Sequence, residues 1–153
     1  MSHRLLFVCM GNICRSPTAK GLFDRTLREA GIEFVSESAG THGYHVGHPP
    51  DPRAVEAALR AGVDIRGDIA RRLVAEDFHR FDRILAMDRA NLDAARAMRP
   101  PDPVARVQLV MELAPDYGMD EVPDPYYGGE AGFVRVVDML EAAARALARE
   151  LAG

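Results

Sequence analysis

The chain has 153 residues, enough for a single domain (1–153) around one hydrophobic core, and its 48% hydrophobic and 27% charged residues suit a water-soluble globular protein. A formal net charge of −4 argues against nucleic acid as a partner, because a phosphate-backbone binder carries a basic face. The two cysteines, Cys9 and Cys14, lie in one short segment where a bridge would staple nothing distant, so they read as free thiols suited to a reducing cytoplasm. The apolar run before Cys9 is too short for a signal-peptide core or a membrane span and no other window is longer, so neither a membrane partner nor export is expected.

Leu5-Leu6-Phe7-Val8 is a short continuous apolar run, the pattern of a strand buried on both faces. Ser16 and Pro17 then read as N-cap and first residue of a helix whose inner positions are Ala19, Leu22, Phe23, Leu27 and Ala30, stopped by Gly31. Phe34 to Ser38 is a weaker second strand, and residues 40–50 form a loop rich in Gly, His and Pro. Asp51-Pro52 opens a second helix with Val55, Ala58 and Leu59 inward, ending at Gly62. Phe81 to Met87 holds a third strand. Asp88 caps a helix that runs to about Met98, before Pro100-Pro101. Val107 to Val110 reads as a fourth strand and 115–129 as a loop. Phe133, Val136, Leu140, Ala144, Leu147 and Leu151 form the buried stripe of a last helix. Strands alternating with helices imply right-handed βαβ units, hence an α/β fold with an open parallel sheet covered on both faces. Ligands in such sheets bind beyond the carboxyl ends of the strands, which is where Cys9 falls.

The segment after the first strand is Cys9-Met10-Gly11-Asn12-Ile13-Cys14-Arg15-Ser16-Pro17. Five residues separate Cys9 from Arg15, and a helix follows at once. A loop of that length can curl so that successive N–H groups point inward and cradle an anion, with the helix N-terminus adding positive potential. Gly11 and Asn12 are residue types that tolerate the left-handed backbone such a curl needs. Arg15 can fork onto two phosphate oxygens. The same inward field favours a thiolate at Cys9, to which the Ser16 hydroxyl could donate, and a thiolate facing phosphorus is a nucleophile for phosphoryl transfer. Neither a Walker motif nor a G-x-G-x-x-G fingerprint is present, which argues against ATP, GTP and NAD. The competing structural reading of Cys9 is a buried core thiol; the Gly-Asn pair, the Ser-Pro helix start and the preceding strand tell against it.

On these residues the chain resembles the low-molecular-weight protein tyrosine phosphatases. Further matching stretches are Ser38-Ala39-Gly40-Thr41, Gly47 through Pro50-Asp51-Pro52-Arg53, Met87-Asp88 with Asn91-Leu92, and Asp124-Pro125-Tyr126-Tyr127. The resemblance implies a three-layer domain with a four-stranded parallel sheet flanked by helices on both faces, of the phosphotyrosine phosphatase I type. It implies Cys9 as nucleophile, Arg15 as clamp, loop residues Met10 to Arg15 around the phosphate, and Asn12, Ser16 and Ser38 as loop support. It implies neither metal nor organic cofactor, phosphotyrosine-bearing proteins as substrates, and phosphate or oxyanions as loop ligands. Asp124 is the expected general acid, since protonating the tyrosyl oxygen as it leaves eases P–O cleavage, although Asp-Pro is also a common turn. Tyr44, Tyr126 and Tyr127 are the expected aromatic walls for a phenyl ring. Where many relatives carry a His joined to the loop's hydrogen bonds this chain has Asp68, which when ionised accepts but cannot donate and would work against the Cys9 thiolate. Cys9 and Cys14 together suggest a redox-sensitive pair.

Other readings stay open at this stage. Arsenate reductases share the fold but relay electrons through further cysteines, which this chain lacks. Relatives acting on phosphoarginine carry Thr where this chain has Ile13. His42, His45 and His48 with Asp51 could bind a metal, yet Gly43, Gly47 and Pro49-Pro50 preclude a helix that would align the rings. A phosphotyrosine-binding module without catalysis would need neither Cys9 nor Asp124.

Overall fold

The computed structural model describes residues 2–153. Four strands, β1 (His3–Cys9), β2 (Phe34–Gly40), β3 (Arg83–Ala86) and β4 (Arg106–Leu109), form one parallel sheet in the order β2-β1-β3-β4. The crossovers are α1 (Arg15–Glu29) between β1 and β2, α2 (Pro52–Arg60) and α3 (Asp77–Arg80) between β2 and β3, and α4 (Arg89–Ala97) between β3 and β4; α5 (Glu130–Ala152) closes the chain. The expected α/β architecture with helices on both faces is the one observed.

Alternation along β1 divides the core in two. Leu5 and Phe7 point to the face covered by α1, α2 and α5, where Leu22, Phe23, Ala58, Leu140 and Leu147 pack with them. Leu6 and Val8 point to the opposite face, against Phe78 of α3, Phe81, and Leu92 and Ala95 of α4. A central strand buried on both sides needs apolar residues at every position, which is why Leu5 to Val8 carries no alternation. Phe7 and Phe23 meet with ring centroids 4.6 Å apart and rings tilted by 51°.

Several boundaries differ from the sequence reading. Helix α1 starts at Arg15 with Cys14 at the cap position, not at Ser16-Pro17. The Cys14 carbonyl accepts from both the N–H (3.3 Å) and the hydroxyl (2.7 Å) of Thr18, so the turn closes earlier. Pro17 still lies in the first turn, where its missing N–H has no intrahelical partner, and the Ser16 hydroxyl is freed from capping. In α2 the inward stripe is Ala54, Ala57 and Ala58, while Leu59 is 44% exposed, because three alanines let the helix sit close to the core. Ala30 caps the end of α1 in solvent. The four-residue α3 is too short to show a helical period. Val110 leaves β4 to begin a 3-10 turn (Val110–Leu113), and a second one occupies Pro115–Tyr117 within the expected loop.

The carboxyl ends of β1 and β2 are level, with Cys9 paired to Gly40. Gly40 is the point of closest approach between β2 and the segment leaving β1. A Cβ placed there would lie 2.8 Å from the Met10 carbonyl oxygen and 3.2 Å from both Gly11 C and Asn12 Cβ. Those are main-chain neighbours or their nearest branch and cannot swing aside. Gly40→Ala is therefore expected to lower the unfolding free energy by about 1–3 kcal/mol, as overpacking does in a well-filled interior. Urea denaturation followed by circular dichroism checks the value.

Candidate active site

Beyond β1 the chain curls back over its own end from Met10 to Cys14. Three contacts with neighbouring segments hold the curl. The Cys9 and Met10 carbonyls accept from Thr41 and His42 N–H, each at 2.9 Å, and the Ile13 carbonyl accepts from Asp51 N–H at 2.8 Å. Asp51 is thus both the N-cap of α2, with its carboxylate on Arg53 N–H at 2.8 Å, and an anchor for the loop.

The centre of the curl is Asn12, whose φ of +59° is the left-handed conformation that Asn adopts more readily than most residues. Its side chain is 3% exposed and fully engaged. Nδ2 donates to Ser16 Oγ (2.7 Å) and Ser38 Oγ (2.9 Å), and Oδ1 accepts from Arg71 N–H (3.0 Å). The Asn12 N–H points at Cys9 Sγ from 3.3 Å. Ser16 Oγ lies 3.0 Å from the same sulfur. Because that oxygen already accepts from Asn12, its own hydrogen is free to turn toward Sγ. The expected support residues Asn12, Ser16 and Ser38 thus form one connected network under the sulfur.

Arg15 is 2% exposed, and a buried guanidinium without partners would cost several kcal/mol. Its Nη1 donates to Asp88 Oδ2 at 2.6 Å and to the Val122 carbonyl at 2.9 Å, while Nη2 stands 3.6 Å from Asp124 Oδ2. Burial pulls its proton affinity down, but Cys9, the Asp88 hydrogen bond and the charges of Asp88 and Asp124 together raise it above the ordinary value. Asp88, expected as a helix cap within a matching stretch, is one, since Oδ1 accepts from Asn91 N–H at 2.8 Å. Its second oxygen is what orients Arg15. With its amide turned so that nitrogen faces Asp88 Oδ1 (2.9 Å), Asn91 brings its own oxygen within 3.3 Å of Met10 N–H. The stretch Met87-Asp88 with Asn91 was singled out by the resemblance, but neither contact could be read from it, because each depends on β3 ending beside β1.

Cys9, Met10, Gly11, Ile13, Cys14 and Arg15 line one cleft of about 330 Å³ together with Tyr44, His45, Asp124, Tyr126 and Tyr127. The separate stretches singled out in the sequence therefore meet. Asp124 begins a turn in which Oδ1 accepts from Tyr126 N–H at 3.0 Å, leaving Oδ2 toward Arg15. Tyr126 and Tyr127 meet edge-on with centroids 5.0 Å apart, and Arg53 stacks over Tyr126 at 5.4 Å. Tyr44 and Tyr127 are 80% and 91% exposed, so they form the rim and not the depth of the cleft. His45 joins the wall, with ring centroids 6.3 Å from Tyr126 and 5.9 Å from His48, whereas His42 leans on Tyr44. Among the described residues no group of three His, Cys, Asp or Glu side chains is arranged to hold a metal ion. A larger open depression of about 470 Å³ beside Arg25, Arg28 and Asp64 contains no cysteine, serine, threonine or histidine.

Cys14 is buried, and burial, then Asp51 and Cys9, push its thiol well above the ordinary range. Asp68 lies behind the loop in a depression shared with Lys20, Glu37, Ser38 and Arg71. Burial raises its carboxyl above the ordinary value, opposed by Lys20 and reinforced by Asp24 and Asp64. Among the described residues no side-chain hydrogen bond joins Asp68 to the loop; the Asn12 Nδ2 donors go to Ser16 and Ser38. No described helix is long and apolar enough to cross a membrane.

Residues 4–153 match the family model described as low molecular weight phosphotyrosine protein phosphatase. A Schizosaccharomyces pombe protein named low molecular weight phosphotyrosine protein phosphatase is 42% identical over 133 residues, covering 85% of this chain and 85% of that protein. A crystal structure of a protein tyrosine phosphatase from Entamoeba histolytica with Hepes in the active site superimposes with a TM-score of 0.93 at 38% identity, covering 98% of this chain and 97% of that one. A Drosophila arginine phosphatase superimposes with a TM-score of 0.90 at 27% identity, over 95% and 96% of the two chains. With the model spanning nearly the whole sequence, this chain belongs to the low molecular weight phosphotyrosine protein phosphatase family.

Proposed function

We propose that this phosphatase hydrolyses phosphotyrosine through a phosphocysteine formed on Cys9. The observation that carries the reading is the meeting, in one cleft, of Cys9, Arg15 and Asp124, with Asp124 Oδ2 3.6 Å from Arg15 Nη2. Loop N–H groups and Arg15 hold three phosphate oxygens. Donors from Asn12 and Ser16 converge on Sγ, an arrangement that suits a sulfur anion. In the first step Sγ bonds to phosphorus as the bond to the tyrosyl oxygen breaks, and Asp124 gives its proton to that oxygen. In the second, water attacks the phosphorus, Asp124 takes the water proton, and the Cys9 thiolate leaves with its electron pair. Tyr126 and Tyr127 flank the phenyl ring, and Ile13 gives the cleft an apolar wall. Phosphoarginine is the runner-up substrate, since an arginine phosphatase shares the fold; its guanidinium would gain nothing from Ile13.

Cys14 stands as the second thiol of a peroxide response. Peroxide would convert the Cys9 thiolate to a sulfenic acid, and the Cys14 thiolate would displace hydroxide from it to form a disulfide. Burial and nearby negative charge disfavour ionised Cys14, so ring closure is slow and rises with pH.

Cys9→Ser is expected to abolish turnover of an aryl phosphate while vanadate binding survives; full turnover would end the covalent mechanism. Asp124→Ala is expected to slow hydrolysis by roughly 10²-fold, most for poor leaving groups, and equal losses across a leaving-group series would remove Asp124 from the acid role. Assaying phosphotyrosine beside phosphoarginine peptides separates the two substrates. Intact-mass and peptide mapping after mild peroxide exposure across a rising pH series should show a Cys9–Cys14 bridge reversible by thiol and increasing with pH, and finding only sulfinic Cys9 would count against it.

A further inference from the structure

Asp77 has no exposed surface, which is unusual for a carboxylate, and it lies outside the cleft. It takes the Arg71 guanidinium as a fork, Nη1 to Oδ2 and Nη2 to Oδ1, each at 3.0 Å. Oδ2 also accepts from Val74 N–H at 2.9 Å, and Arg80 approaches Oδ1 at 3.4 Å. Glu37 on β2 completes the frame, accepting from Arg71 at 3.0 Å and Arg80 at 2.7 Å. The Arg71 main chain is pinned between the loop and the sheet. Its N–H donates to Asn12 Oδ1 at 3.0 Å, and its carbonyl accepts from Gly40 N–H at 2.8 Å.

We propose that Asp77 is a positioning residue for catalysis, acting through the Arg71 fork to hold the N–H that keeps Asn12 left-handed beneath Cys9. The connection is continuous: Asp77, the Arg71 side chain, the Arg71 N–H, the Asn12 amide, then Ser16, then Cys9 Sγ, with Ser38 as a second partner of the amide. Asn12 has no slack in it. If the Arg71 N–H moves, Oδ1 loses its donor, the amide rotates, and both serines lose theirs. An anion cradle made of main-chain N–H groups tolerates little displacement, because the donors must already aim at the oxygens when charge builds on them. An exposed pair of the same chemistry lies a few residues earlier in the chain. Asp64 takes Arg66 as a fork at 2.9 and 2.8 Å, touches nothing in the loop, and serves as the internal control.

The inference rests on the phosphatase reading, and the test keeps the two apart. Asp77→Asn removes the charge with little change of shape; Arg71→Lys keeps the charge and the N–H but loses the fork. In fully folded protein, each is expected to lower kcat on an aryl phosphate roughly 10- to 10²-fold and weaken vanadate binding similarly. The Asn12 backbone and side-chain amide signals should shift in the nitrogen–proton NMR spectrum. Asp64→Asn should change none of these. Should Asp77→Asn fail to fold, Arg71→Lys carries the test alone. Variants that melt earlier but keep kcat and vanadate affinity within about twofold, with Asn12 amides unmoved, would overturn the positioning role and leave a purely structural ion pair. If the wild type neither turns over nor binds vanadate, the phosphatase reading falls, and the Asn12 signals alone still decide the clamp.

Discussion

One left-handed residue governs the site. Asn12 holds a φ of +59°, and its amide satisfies Ser16, Ser38 and the Arg71 N–H while its own N–H meets Cys9 Sγ. Without that reversal the chain leaving β1 would run on in the strand direction, and the sulfur, Arg15 and the first turn of α1 would not face a common point. A left-handed non-glycine conformation costs about 1–2 kcal/mol, comparable to one or two net hydrogen bonds. Three side-chain hydrogen bonds in a buried setting outweigh it, which explains why a fully engaged Asn serves here as well as a glycine would.

The second constraint is electrostatic. Arg15 is buried at the bottom of the cleft, and a lone buried cation is prohibitive. Asp88 and the Val122 carbonyl supply its partners on one side and Asp124 approaches on the other. The chain's negative net charge is compatible with an anion site because the cationic group there is local, enclosed and aimed, whereas the excess carboxylates belong to the rest of the chain, where water and salt screen them. Asp51 and Asp88 each combine helix capping with loop or clamp duties, so α2 and α4 are anchored at the site by the same residues that begin them.

How much could be read in advance follows from range. The α/β class, all four strands and the four longer helices were legible, since each rests on local periodicity, caps and breakers. Cys9 through Arg15 was legible because the loop's chemistry is contiguous in sequence. The missed pieces share a cause. The four-residue α3 falls below one helical repeat, Leu59 turned outward because close packing of α2 favoured its alanines, and the cap position of α1 fell to Cys14 while Ser16 kept only its expected part in supporting the loop. Asp68, suspected of opposing the thiolate, sits behind the loop with no hydrogen bond to it among the described residues, and the Asn12 Nδ2 donors that a carboxylate could use are taken by Ser16 and Ser38.

By itself the sequence determined the order of elements, the burial of β1 on both faces and the chemical character of a Cys-to-Arg loop at a strand end. Those depend on residue types within a few positions of one another. Only the tertiary structure decided that Asp88 holds Arg15, that Asp124 reaches the same cleft, and that Arg71 braces Asn12 from a buried Asp77. These contacts join residues as much as 109 positions apart, and they exist because parallel pairing brings the carboxyl ends of β1, β2 and β3 to one edge, where side chains from separate crossovers converge.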